Sequence, residues 1–386
     1  MKIGVIGLGS RIFAVIQTMR KYDENLKLTA IADLDLESVH KKMELEPELF
    51  AGDVIVCSNA DEMLKKAENL DGVLIGTRCS THAEMAIKVI EKGLPVFLEK
   101  PVCTTFEDVE RLNAARLKYQ PKVIVSFPLR PILLYDKVKE LVDSGIVGKI
   151  TAVEAFNNVN IGRIYFKNWY RDEEETGGLW LQKATHDLDI INYFLGERPV
   201  KLCAMSSKQV FTGNMPANLK CVDCSKYKTC PESTYVIREL NGDDPYGEYC
   251  SYAVDTGNED SGSVIVRYES GMHATYTQNF YSRRKAARRG ARLYGAGGCI
   301  EFDLGPNEIK VYMNDRPEIQ TYSFSNGEEG HHGGDDLICR SFLSMMRGEE
   351  VPSTLKDGIL SAYMCLLARE SCRTDQFMDI KDLDVE

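Results

Sequence analysis

The chain has no apolar run long enough to span a bilayer, no excess of positive charge, no internal repeat and no low-complexity linker. Each absence removes a class of function. Without a spanning segment it is not read as a membrane protein. A formal net charge of −11 argues against a nucleic-acid surface. The basic cluster Arg283, Arg284, Lys285, Arg288, Arg289 and Arg292 is therefore read as neutralising acids or a phosphate locally. The first residues, a lysine followed by an apolar stretch, resemble a signal peptide, but Gly7, Gly9 and Arg11 interrupt it and no small-residue cleavage site follows. A cytoplasmic location is expected, where twelve cysteines serve as thiols or metal ligands rather than as a disulfide framework.

What is present is the composition of a soluble globular enzyme, 44% hydrophobic and 27% charged, in 386 residues, a length that suits two domains. The residues around which they are organised are Pro95-Val96-Phe97-Leu98-Glu99-Lys100-Pro101, a short apolar strand that ends in an acid, an amine and a proline. In a doubly wound α/β sheet the ligand crevice lies outside the carboxyl ends of the strands, and a lysine delivered there points into it. By themselves these seven residues favour the plainer reading, a strand followed by an exposed Lys-Pro turn.

Upstream, Lys2 to Ile6 reads as a buried strand, Gly7 to Ile12 as a tight turn and Phe13 to Tyr22 as a helix. Two glycines let the backbone approach a pyrophosphate, and the free N–H groups at the helix start receive its charge. The third fingerprint position holds Ile12 instead of a small residue, so strand and helix are expected to pack less closely there. A second strand, Leu26 to Ala32, ends at Asp33, where a dinucleotide fold places the acid that binds the adenosine ribose. An acid there repels a 2′-phosphate and favours NAD over NADP; the competing role for Asp33 is a helix N-cap. Further strands at 53–57, 72–76, 95–99 and 122–127 alternate with helices at 60–66, 81–92 and 105–117, which predicts a parallel Rossmann sheet over residues 1–125. Thr77, Arg78 and His82 follow the fourth strand at its carboxyl edge and are expected to face the cofactor, although His82 also suits a helix cap.

Residues 126–386 are read as a second α/β domain, the pattern changing at Arg130. A helix over 132–144 leads to a strand over 149–159. Trp169, Tyr170 and Arg171 then lead to Gly177-Gly178 and a helix carrying Gln182, Lys183, His186, Asp187 and Asp189. Helical spacing puts Gln182, Lys183 and His186 on one face; the alternative is a solvated face with a Lys183–Asp187 ion pair. Alternating segments between Ser263 and Phe324 predict an open, mainly antiparallel sheet with one face available to a partner. Two helices close the chain after His331-His332-Gly333-Gly334-Asp335. Within it, a stretch at about 214–252 is poor in apolar residues and holds Cys221, Cys224, Cys230 and Cys250. That spacing suits one structural zinc ion, with disulfides or free thiols as the alternatives.

Taken together these residues resemble the glucose–fructose oxidoreductase, inositol dehydrogenase and rhizopine-catabolism family, Gfo/Idh/MocA, over nearly the whole chain. The resemblance rests on the glycine turn, Glu99-Lys100-Pro101, the start of the second domain near Arg130, and Gly177-Gly178 followed by a helix with His186 and Asp189. It implies a Rossmann domain plus an α/β domain whose open sheet serves oligomer contacts, so a homo-oligomer, dimer or tetramer, is expected. It implies a sugar, a cyclitol or a derivative as substrate. The dinucleotide is assigned to Gly7, Gly9, Ser10, Arg11, Ile12, Asp33, Thr77, Arg78, His82, Glu99, Lys100, Arg130 and Trp169. Catalysis is assigned to Lys100, which steadies the developing alkoxide, to His186 as general base, and to Lys183 as a group orienting substrate or sharing the proton relay. Many family members carry an aspartate four residues before the histidine; Gln182 stands there, which removes one candidate base. Two other readings fit the same residues: redox-assisted glycoside cleavage with recycled NAD, and a dinucleotide-sensing regulator without turnover.

Overall fold

A computed structural model describes residues 1–325 and 330–385, and of Gly330 and His331 only the backbone. The chain divides into two compact units, the first of Met1–Ile132, the chain's return up to Tyr363 and the last residues from Leu383, the second of Leu133–Ser325 and Met364–Asp382. Among the described residues no helix is long and apolar enough to cross a membrane.

The first unit alternates β1 (Lys2–Ile6), α1 (Ser10–Arg20), β2 (Lys27–Ala32), α2 (Leu36–Leu45), β3 (Phe50–Cys57), α3 (Ala60–Lys66), β4 (Gly72–Ile75), α4 (His82–Ile90), β5 (Val96–Leu98), α5 (Phe106–Tyr119) and β6 (Val123–Val125). The six strands run in the order β3-β2-β1-β4-β5-β6, every neighbouring pair parallel. This is the doubly wound arrangement whose strand order reverses between β1 and β4, where ligands bind. The central strands read as unbroken apolar runs because both faces are covered: β4, β5 and β6 are buried at every position. Helix α2 had no counterpart in the sequence reading, since its single buried residue, Val39, leaves no apolar stripe to detect.

The second unit begins with α6 (Leu133–Asp143) and β7 (Ile150–Asn158), followed by two short helices, α7 (Ile164–Lys167) and α8 (Glu173–Thr176). A π-helical turn, Trp180–Ala184, then runs into α9 (Thr185–Leu195). Next come β8 (Pro199–Ser207), α10 (Thr234–Asn241), β9 (Ser261–Tyr268), β10 (His273–Asn279), β11 (Arg289–Gly295), β12 (Gly298–Asp303), β13 (Glu308–Met313) and β14 (Ile319–Ser323). After α11 (Gly334–Met346), helix α12 (Leu355–Thr374) spans the division between the units, and β15 (Met378–Asp379) closes the second sheet. That sheet has nine strands in the order β14-β13-β12-β11-β7-β10-β9-β8-β15; only β7 and β10 run parallel. Strand β9 buries alternate residues, Gly262, Val264, Val266 and Tyr268, and presents Ser263, Ile265 and Arg267 on the open face. The expected α/β class, a parallel Rossmann sheet and a mainly antiparallel second sheet, is what the chain adopts.

Candidate active site

The glycine turn joins β1 to α1. Gly7 has φ +82°, and a Cβ on it would meet the Thr77 nitrogen at 2.7 Å, so only glycine fits. Gly9 differs: it has φ −70° and is exposed, and a Cβ there would approach nothing closer than the Gly76 carbonyl oxygen at 3.8 Å. The protein itself therefore has no need of glycine at position 9, whereas a group lying against the turn would. No side chain caps α1 and its first turn has no acid, while Asp35, Asn59 and Thr105 cap α2, α3 and α5. The positive start of α1, with Ser10 exposed on it, is thus left for an external anion. Ile12, expected to loosen the packing, is only 1% exposed. Its room comes from Gly76 at the end of β4, where a Cβ would lie 2.0 Å from Ile12 Cγ1. Strand and helix stay close because the small residue has moved to the neighbouring strand.

Asp33 stands at the carboxyl end of β2. Its carboxylate accepts from the N–H of Leu8 at 2.7 Å and of Asp35 at 2.9 Å. The N-cap of α2 is Asp35, accepting from the Ser38 N–H at 3.0 Å, so capping is not the task of Asp33. These features, a glycine cradle, an uncapped helix start and an acid beside them, fit a nicotinamide adenine dinucleotide.

Around the end of β5 the groups are braced. Arg11 donates through Nε to Glu99 at 3.0 Å and through Nη2 to Asp335 at 2.6 Å and Ser126 at 3.2 Å. Burial pulls the Arg11 guanidinium down, but Glu99 and Asp335 outweigh it and hold its pKa above the ordinary value. Arg11 is thus committed to holding buried Glu99, which precedes half-exposed Lys100. His82 is buried, with Nδ1 2.7 Å from the Pro101 carbonyl oxygen and Nε2 3.2 Å from that of Thr77. Burial lowers its pKa, so the ring is neutral and one nitrogen donates. It ties the loop after β4 to Lys100-Pro101 and does not cap α4. Thr77 accepts from the Thr81 hydroxyl at 2.7 Å, and Arg78 is exposed. Arg130 lies beside Asp357 at 3.0 Å and over the Phe127 ring.

In the second unit Trp169 stacks on Tyr170, centroids 3.9 Å apart. Between Thr176 and Ile191 every residue is buried except Lys183 and His186. The expected third member of their face, Gln182, is 1% exposed and donates to the Thr176 carbonyl at 2.7 Å. The π-helical turn spanning 180–184 widens the helix and breaks the α spacing on which that expectation rested. Asp187 is turned into the core, where it accepts from Arg289 Nε at 2.7 Å, the Tyr276 hydroxyl at 2.8 Å and Asn157 at 2.9 Å. Besides Arg289, three of the basic cluster's six residues pair with acids: Arg288 with Asp303, Arg292 with Glu301 and Arg283 with Glu232.

The zinc expectation is corrected. Among the described residues no group of three or more His, Cys, Asp or Glu side chains is placed to hold a metal ion, and Cys221, Cys224, Cys230 and Cys250 are all free thiols. Burial first, and then the other three thiols, raises the Cys250 pKa, so the four share a neighbourhood without forming a ligand cage. The order assigned to a metal comes from polar contacts. Fully buried Lys167 donates to Asp244 at 3.1 Å and to the Glu232 carbonyl at 3.0 Å, and lies 3.9 Å from Cys221 Sγ. Bridges Met215↔Ala253 and Lys220↔Tyr249 pin the two ends of the insertion together.

Residues 1–127 match a model of the oxidoreductase family with NAD-binding Rossmann fold, and residues 135–301 match the Gfo/Idh/MocA C-terminal domain. The chain belongs to the Gfo/Idh/MocA family. It is an NAD-binding oxidoreductase. Among relatives, a Bacillus subtilis protein designated as the oxidoreductase YteT is 26% identical over 375 residues, 87% of either chain. The inositol 2-dehydrogenase of Pseudomonas fluorescens is 26% identical over 352 residues, 83% of this chain and 99% of its own. A solved levoglucosan dehydrogenase in complex with NADH and levoglucosan superposes with a TM-score of 0.75 at 17% identity, covering 99% of this chain and 100% of its own; that likeness concerns the fold. Sequence reasoning missed Ser126 and Asp335 as partners of Arg11, and Gly76 as the complement of Ile12. The available signal was a glycine closing the fourth strand.

Proposed function

We propose that this oxidoreductase transfers a hydride between NAD and a ring hydroxyl of a sugar, cyclitol or sugar derivative. The observation that carries the reading is the pair Lys183 and His186, left partly exposed three residues apart in an otherwise buried stretch from Thr176 to Ile191, in a chain whose first unit is built to hold a dinucleotide. Bound NAD supplies the nicotinamide carbon that accepts or returns hydride. The chain's own residues handle the oxygen and its proton. The Lys100 ammonium donates a hydrogen bond to the reacting oxygen and stabilises the alkoxide as it forms. His186 takes the hydroxyl proton as general base, and Lys183 orients the substrate. Relatives named as inositol 2-dehydrogenases support a polyol substrate.

The same reading extends to a homo-oligomer, dimer or tetramer, formed through the open face of the nine-stranded sheet, and to a cytoplasmic location in which free thiols persist. Light scattering on the purified chain measures the first. For the activity, NADH formation is followed by absorbance over a panel of sugars, cyclitols and glycosides. Net NADH with at least one polyol is expected. Release of an aglycone without net NADH, or silence across the panel, overturns the reading.

A further inference from the structure

Lys100 stands between two residues that the first unit ties down. Before it, Glu99 donates its N–H to the Ile75 carbonyl at 3.0 Å, continuing the ladder of β5 on β4, and its carboxylate accepts from Arg11. After it, Pro101 has no N–H, so its carbonyl oxygen is the one backbone group of that residue that a hydrogen-bond partner can hold. The partner is His82, the first residue of α4, which is 2% exposed. Its Nδ1 lies 2.7 Å from the Pro101 oxygen, and its Nε2 lies 3.2 Å from the Thr77 oxygen. A ring turned over by half a rotation would set carbons against both oxygens, so the orientation is fixed. Both neighbours are carbonyls, which only accept. A neutral imidazole has one N–H and can therefore bond to one of them, not to both.

We propose that His82 is a positioning residue for Lys100: its proton sits on Nδ1 and is donated to the Pro101 carbonyl, so that the chain leaving Lys100 is held to the start of α4. The two distances choose the nitrogen. At 2.7 Å the Nδ1 contact is a short hydrogen bond that needs a proton between the atoms, whereas 3.2 Å is the outer limit for N–H···O and is also an ordinary contact between two bare atoms. A doubly protonated ring would donate to both carbonyls, but it would place a charge in the interior with carbonyls, and no carboxylate, at its nitrogens. Burial pulls the pKa of the ring down and outweighs the two carbonyls and Glu99, while Lys100 also opposes a second proton. Glu99 is thereby fixed by β4 and Arg11 on one side of Lys100, and Pro101 by His82 on the other.

The catalytic value of this hold rests on the activity proposed above, so the first arm of the test needs no turnover. The full chain is labelled with 15N-histidine, and NMR correlations through the ring distinguish the protonated nitrogen from the bare one. The His82 signals are those lost in His82→Asn among the six histidines; if that variant does not fold, they are those that persist when each other histidine is replaced. The expected result is a proton on Nδ1 and a bare Nε2 at every pH from about 5 to about 8. A proton on Nε2, or on both nitrogens, overturns the proposal. The Asn amide nitrogen is attached to Cγ, as Nδ1 is, and keeps a donor for Pro101; that of Gln lies one atom farther out, as Nε2 does. Hydrogen exchange at the Lys100 amide is therefore expected to quicken in His82→Gln and to stay near wild type in His82→Asn, and equal rates in the two variants overturn the proposal. In the second arm, with a polyol that reduces NAD, His82→Gln lowers kcat by about tenfold to a hundredfold, leaves NAD affinity unchanged and has no further effect in Lys100→Ala; His82→Asn keeps most of the activity. A loss shared by NAD affinity, or one that adds in full to that of Lys100→Ala, marks His82 as structural only and overturns the proposal. Silence over every polyol defeats the proposed activity by itself, and the ring and exchange measurements then decide the place of His82.

Discussion

Two glycines around the nucleotide turn, Gly76 and Gly9, make opposite predictions when each receives a methyl group. At Gly76 the new Cβ would lie 2.0 Å from Ile12 Cγ1 and 2.9 Å from Cδ1, far inside ordinary contact. Ile12 is only 1% exposed, so it has nowhere to retreat. Overpacking of this kind costs about 1–3 kcal/mol, and in a unit of this size each kcal/mol lowers Tm by about 2–4 °C. Adding Ile12→Ala should recover part of the loss, because the nearest remaining atom, Ile12 Cβ, is 3.3 Å from the new methyl. At Gly9 the backbone already has a conformation that any residue adopts, and the methyl meets only the Gly76 oxygen at 3.8 Å. Gly9→Ala should thus melt no lower than wild type, gaining about 0.5 kcal/mol through the unfolded chain. Yet it should lose NAD affinity by about tenfold or more, equivalent to about 1.4 kcal/mol, because the methyl occupies the space the pyrophosphate needs. Melting curves without cofactor and calorimetric titration with NAD separate the two effects. A Gly9→Ala protein that binds NAD as wild type does would refute the cofactor-facing geometry of the turn, and a Gly76→Ala protein with unchanged Tm would refute the Ile12 compensation.

Asp33 accepts from two backbone N–H groups beside the turn, so NAD should bind more tightly than NADP, and Asp33→Ala should narrow the gap; equal affinities in wild type would remove its assigned role. Lys100→Ala and His186→Ala should each lower kcat by about 10² or more while NAD binding persists, and near-normal turnover in either would move attention to Lys183. For stability, Glu259 is a carboxyl whose folded pKa, about 7, exceeds its ordinary 4.5. The stabilisation from its protonated form is complete below pH 4.5 and is lost as pH rises through 7. At about 1.4 kcal/mol per pH unit, wild type should lose about 3 kcal/mol across that window relative to Glu259→Gln. Denaturant unfolding at several pH values measures this, and parallel curves for the two proteins would contradict it.

What the amino-acid order determined by itself was most of what depends on local pattern, with α2, which buries only Val39, as the exception. Short apolar runs separated by helical segments are the pattern of a parallel sheet with crossovers, and alternation such as that of Ser261–Tyr268 is the pattern of a strand with one face on a core. The glycine turn, Asp33 and Lys100 stood out for the same reason, since each lies at the end of a strand. Tertiary structure decided what depends on partners far away in the chain. Arg11 became a brace because Glu99 and Asp335 come to it from 88 and 324 residues away. Ile12 could replace a small residue only because Gly76 lies beside it. Gln182 left the face it was expected to share with Lys183 and His186 at a π-helical turn, which residue spacing does not announce. The cysteine spacing was compatible with a metal, but Lys167 and Asp244, 77 residues apart, ordered the insertion by pairing in the interior. Spacing along the chain limits which groups share an element; which groups meet across elements is set by packing, and a sequence pattern does not encode that distance.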